Sequence, residues 1–137
     1  MPAAGGEATR LTQNGAIFVR ASADGNFLYY MRTAMATAVW KMPAAGGPEQ
    51  VVFDTLIVPF SEFVPAMQGI YFAGNRFPME KGSYISFFDF ASGKTRHVLS
   101  LAKPLFAGMD LAPDGGALVF SQLDRINSDL RLVEDFR

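Results

Sequence analysis

The chain has 137 residues, half of them apolar and 18% charged, which suits one ordinary folded domain and excludes a disordered polar segment. Twelve basic against thirteen acidic side chains leave a formal charge of −1, so there is no electrostatic footprint for nucleic acid or an anionic membrane. The lack of cysteine excludes a disulfide framework and a thiolate metal site, and no apolar run approaches the ~20 residues that span a bilayer. The first ten residues, MPAAGGEATR, hold no apolar core of the kind a signal peptide needs. Thirteen Phe, four Tyr, thirteen Gly and eight Pro predict many short strands, many turns and little helix.

Taken in order, the chain predicts an isolated strand over residues 7–12. Strands over 17–22, 26–32, 38–43 and 49–54 follow, then 60–65, 70–74, 84–90 and 96–101. A last group covers 106–111, 117–122 and 129–134. Alternation supports several of these assignments, for example Ile17, Val19 and Ala21 on one face with Phe18 and Arg20 on the other.

Two repeat series run through these strands. SADGNFLYYM, Ser22 to Met31, returns as APDGGALVFS, Ala112 to Ser121, placing Asp24 and Asp114 90 residues apart. A worn copy, AMQGIYFAGN, lies between them, so Gly25, Gly69 and Gly115 are spaced by 44 and 46 residues. Independently, MPAAGG at 1–6 recurs letter for letter at 42–47, and DFASGK at 89–94 is a weaker relative in which Gly93 matches Gly46 at an interval of 47. A period of about 40–50 residues in an all-strand chain is the mark of a β-propeller with one blade per repeat. The expected fold is therefore all-β: blades over 16–54, 57–101 and 105–137, the last completed by the strand at 7–12 or by another chain. Twelve strands make three four-stranded antiparallel blades, too few to shut a ring. The reading thus expects either the tail of a longer propeller, since the chain starts inside a repeat, or a homodimer that closes a six-bladed ring.

These residues resemble the TolB-type, WD-like propeller repeat. VWKMPAAGG, Val39 to Gly47, fits its third strand and following turn; Ala112 to Gly115 fits its Ser-Pro-Asp-Gly turn with Ala for Ser, and Ser22 to Gly25 keeps the Ser but lacks the Pro. The middle repeat has lost both elements. The ending, LVFSQLDRINSDLRLVEDFR, resembles the C-terminal blades of propellers attached to bacterial winged-helix regulators and serine/threonine kinases. The resemblance implies a non-enzymatic module that recognises a protein partner or senses a ligand within a bacterial signalling protein. It would be periplasmic if the parent carries an upstream membrane helix and cytoplasmic otherwise. The alternative is an accessory propeller of a prolyl-oligopeptidase-like hydrolase.

Catalytic motifs are missing: there is no GxSxG, P-loop, GxGxxG after a strand, or HExxH. The single histidine, His97, reads as a plain residue of an outer strand, and no cofactor or metal is expected. Asp24, Gly25, Gly69, Asp114 and Gly115 read as a structural turn signature, Asp capping the turn and Gly supplying positive φ. Trp40 is expected at the place that Phe87 fills in the next blade. Arg32, Arg76 and Arg125 each follow the second strand of a blade and would gather on one rim, where an anionic ligand or a partner's carboxylates could bind. Asp124 beside Arg125 would blunt the positive field there.

Overall fold

Asp-Gly turns and aromatic strands dictate hairpins. The structure, a computed structural model that describes residues 5–35, 37–54, 62–75 and 82–123, is assembled from them. Its strands are β1 (Ile17–Ala21), β2 (Phe27–Met31), β3 (Val39–Pro43), β4 (Gln50–Phe53), β5 (Phe63–Ala66), β6 (Gly69–Asn75), β7 (Ser83–Asp89), β8 (Thr95–Leu101), β9 (Leu105–Leu111) and β10 (Leu118–Gln122). No helix occurs among the described residues. Three antiparallel sheets follow in chain order, β1-β2-β3-β4, β5-β6-β7-β8 and the two-stranded β9–β10. Every strand end lies within three residues of its expected place.

Two expectations fare differently. Residues 7–12 are described and join no sheet. At the matching repeat position, β4 is held by its ladder to β3, and the strand expected to do this for 7–12 is the one at 129–134. That strand, the last of the third group, lies outside the described residues.

The two four-stranded sheets are congruent in detail. In the first, Val39 pairs with Phe53 and Trp40 with Val51, leaving Val52 as a bulge; in the second, Ile85 pairs with Leu99 and Ser86 with His97, leaving Val98. Both bulges sit on the outermost strand at one register position, where they twist an exposed edge away from further pairing. The inner strands share a device too. Phe18 (φ 52°) in the β1 bulge and Gly108 (φ 94°) in the β9 bulge are 90 residues apart, the same interval as Asp24 and Asp114.

This register corrects the equivalence expected for Trp40. Pairing aligns Trp40 with Ser86 and Lys41 with Phe87, because Tyr30↔Trp40 corresponds to Phe72↔Ser86. The turn glycines mislead by one residue: the Gly46 amide bonds back three residues to Pro43, whereas the Gly93 amide bonds back four to Asp89. A one-residue slip moves a side chain to the other face of its sheet. Trp40 thus shares the face of Tyr30, while Phe87 points toward the third sheet with Tyr71.

Burial follows these faces. Tyr29, Met31, Val39 and Phe53 of the first sheet pack on Phe63, Ile70 and Phe72 of the second. Phe53 reaches between them, its ring 4.8 Å from Phe88 and 5.1 Å from Phe72. On the other side of the second sheet, Val64, Ala73 and Ile85 meet Leu105 and Met109 of the third. Apolar area removed from water at about 25 cal/mol per Å² is what holds sheet to sheet. One buried polar tie joins the last two: the Ser83 hydroxyl accepts the Leu105 amide at 2.6 Å. The leading strands come together, β1 against β5 and β5 against β9.

Candidate functional site

The Asp-Gly repeats build matching turns. Ser22 donates its amide to Phe27 O and Gly25 donates to Ser22 O; Ala112 and Gly115 do the same toward Ala117 O and Ala112 O, all at 2.8–2.9 Å. Gly25 and Gly115 both take φ 72°. Asp24 accepts the Asn26 amide, and Asp114 accepts the Gly116 amide. The Ser22 hydroxyl donates to Asp24 and, with the Asn26 bonds, holds its carboxyl below the usual value. Gly69 behaves otherwise: it opens β6 itself and has no positive φ. Glycine is required there by close approach, because a Cβ would overlap the Phe88 carbonyl and the Phe87 ring.

Of the three rim arginines, only Arg32 falls within the described residues, and it is already engaged. Its Nη2 donates to Glu49 in an ion pair, and its guanidinium lies 3.4 Å from the Trp40 ring centroid. Arg32 and Asn14 hold the Glu49 carboxyl below its usual value, despite some desolvation. Tyr30 is almost wholly buried beside them; burial and then the Glu49 charge push its phenol up. Among the described residues neither its hydroxyl nor Arg32 Nε makes a hydrogen bond of good geometry, although the hydroxyl lies near the Glu49 carboxyl. Leu11, Asn14 and Gly15, all exposed, run past this face near Gly46, Glu49 and the Arg32 carbonyl. The arrangement is a charge-neutral, half-buried cluster on the first sheet rather than an unpaired arginine. Arg76 and Arg125 lie outside the described residues.

A second polar group, missed by sequence reasoning, sits where the leading strands meet. Arg20 on β1 is 3.9 Å from Glu62, just before β5, and donates to Met109 O on β9 at 3.5 Å. One side chain therefore links the first sheet to the segment entering β5 and to β9. The only signal in the sequence was position: Arg20 and Asp110 are 90 residues apart, the same place in two repeats.

Two clefts open at the end bearing the Asp-Gly turns. One, of about 450 Å³, separates the first and second sheets and is walled by Tyr29, Phe88, Phe90 and Lys41. The other, of about 700 Å³, runs between the second and third sheets from Arg20 past Tyr71 and Phe87 to Asp110 and Asp114. Both volumes fall in the range of small-ligand sites. Met67, 75% exposed at the tip of the β5–β6 turn, borders both. His97 lies on exposed β8, 3.2 Å from the Ser100 hydroxyl. Among the described residues no three His, Cys, Asp or Glu side chains gather to hold a metal ion, and no helix is long and apolar enough to cross a membrane. No protein-family model matches the sequence, and no curated protein matches it.

Proposed function

We propose that the three sheets are consecutive blades of a TolB-type β-propeller and that the chain works as a recognition module, without chemistry of its own. The observation that carries this is the junction of the leading strands: successive sheets stack face to face while β1, β5 and β9 meet around Arg20. Matching outer bulges in the first two sheets and matching Asp-Gly turns in the first and third support it. A stack of this kind gives a rigid frame whose turns and inter-sheet clefts can contact a ligand while the strands stay fixed. The ligand would be a protein segment or a small molecule, and a second copy of the chain is the partner that would close a six-bladed ring.

The test is a titration of the ¹⁵N-labelled chain, followed by NMR, with a panel of trilysine, triglutamate, triphenylalanine and inorganic phosphate. Saturable shifts at the turn-bearing end, around Ala23, Met67 and Ala112, are expected for at least one probe, with the probe recovered unchanged. Silence from the whole panel, or chemical conversion of a probe, would sink this reading. Mass measurement in the same buffer reports whether two copies associate.

A further inference from the structure

We infer that the cleft between the second and third sheets takes a cationic group, such as the side chain of a lysine or arginine in a peptide; the inference rests on the recognition reading above. One wall is aromatic: Tyr71 and Phe87 have ring centroids 4.7 Å apart and a 52° interplanar angle, and both line the cleft. The other wall carries two exposed carboxylates, Asp110 and Asp114. Each uses Oδ1 to accept a backbone amide, from Leu111 and Gly116 respectively, at 2.9 Å. Neither has an ion pair among the described residues.

The cations nearby do not neutralise them. Arg20 at the inner end faces Glu62 and the Met109 carbonyl. Arg96 lies over the Phe87 ring, 4.9 Å from its centroid, so this wall already attracts one guanidinium. With Arg20 balanced by Glu62, the two aspartates outnumber Arg96 by one negative charge. An aromatic face opposite unpaired carboxylates favours a cation by ring quadrupole and by charge together. An anion would meet two carboxylates there, which selects between the ligand signs. The neighbouring cleft carries a single carboxylate, Asp24, beside its aromatic rings, and Lys41, which lies over Phe27, offsets that charge.

The experiment compares the native chain with the Asp110→Asn/Asp114→Asn double variant. Both sites are exposed and an asparagine oxygen can still accept the turn amides, so circular dichroism should stay unchanged. Trilysine should give saturable NMR shifts at Tyr71, Asp110 and Asp114, weakened about tenfold or more in the double variant, and triglutamate should give none. Equal trilysine affinity in both proteins, or shifts scattered over other acidic residues, overturns the inference. Failure of trilysine while another probe of the panel binds the turn-bearing end overturns it and leaves the recognition reading standing. Failure of every probe overturns both.

Discussion

Two glycine-to-alanine changes separate steric from conformational demand in this fold. At Gly115 the backbone sits at φ 72° and an added Cβ would meet nothing within 4 Å among the described residues. Its cost is conformational only: about 1–2 kcal/mol for an L-residue in the left-handed region, less about 0.4–1 kcal/mol from the stiffer unfolded chain. A net loss of about 1 kcal/mol follows. At Gly69 there is no such conformational term, but a Cβ would lie 2.9 Å from Phe87 Cε1 and nearer still to the Phe88 carbonyl. That carbonyl belongs to β7, which is paired to β6 along seven positions from Gly69 to Asn75, so it cannot retreat alone. Overpacking costs about 1–3 kcal/mol when side chains can give way; with a strand backbone in the path, Gly69→Ala should lose about 3 kcal/mol. Urea unfolding followed by circular dichroism reads both variants on one scale. Trimming the ring with Phe87→Leu should rescue Gly69→Ala only in part, since the carbonyl remains. If Gly69→Ala costs no more than Gly115→Ala, the close approach of β6 and β7 described above is wrong.

Further outcomes follow from the same geometry. Gly108→Ala should cost about 1 kcal/mol, like Gly115→Ala, because among the described residues its Cβ would find nothing nearer than Ser121 Oγ at 3.9 Å and only the positive φ is penalised; a neutral effect in urea would deny the β9 bulge. Asp24, Glu49 and Asp89 are held below their ordinary values, 4.5 for the glutamate and 3.8 for the aspartates. They favour the folded state above those values, and the contribution fades as pH falls through the lowered ones. Glu49→Gln should therefore flatten the acid limb of a plot of urea midpoint against pH; an unaltered limb would mean that Arg32 does not hold that carboxylate. Trp40 is the single tryptophan, so its emission reports on Arg32 without ambiguity. Arg32→Ala should shift that emission, whereas Arg96→Ala should leave it in place; the reverse pattern would contradict the stacking.

The order of strands and their pairing with chain neighbours were legible in the residues themselves. Local turn chemistry and alternation act over a few positions, so Asp24-Gly25 and Asp114-Gly115 could be recognised as equivalent without any knowledge of tertiary contacts. Register was only half legible. Counting from Gly46 to Gly93 put Trp40 in the place of Phe87, because a turn that closes over three residues and one that closes over four look alike as spaced glycines. Gly69 likewise fits the repeat by interval, yet its need for glycine comes from β7 and not from its turn.

Side-chain partnerships were decided by the tertiary structure alone. Arg32 read as a free rim arginine, since nothing in the order of residues announces that Glu49, seventeen positions later and two strands away, arrives beside it over the Trp40 ring. Arg20 read as one polar residue in an alternating strand, yet the packing of three sheets brings Glu62 and the Met109 carbonyl to it. Strands and turns depend on interactions between residues close in the chain, which sequence displays. Charge neutralisation and cleft shape depend on which distant surfaces meet, and that is settled only when the sheets pack.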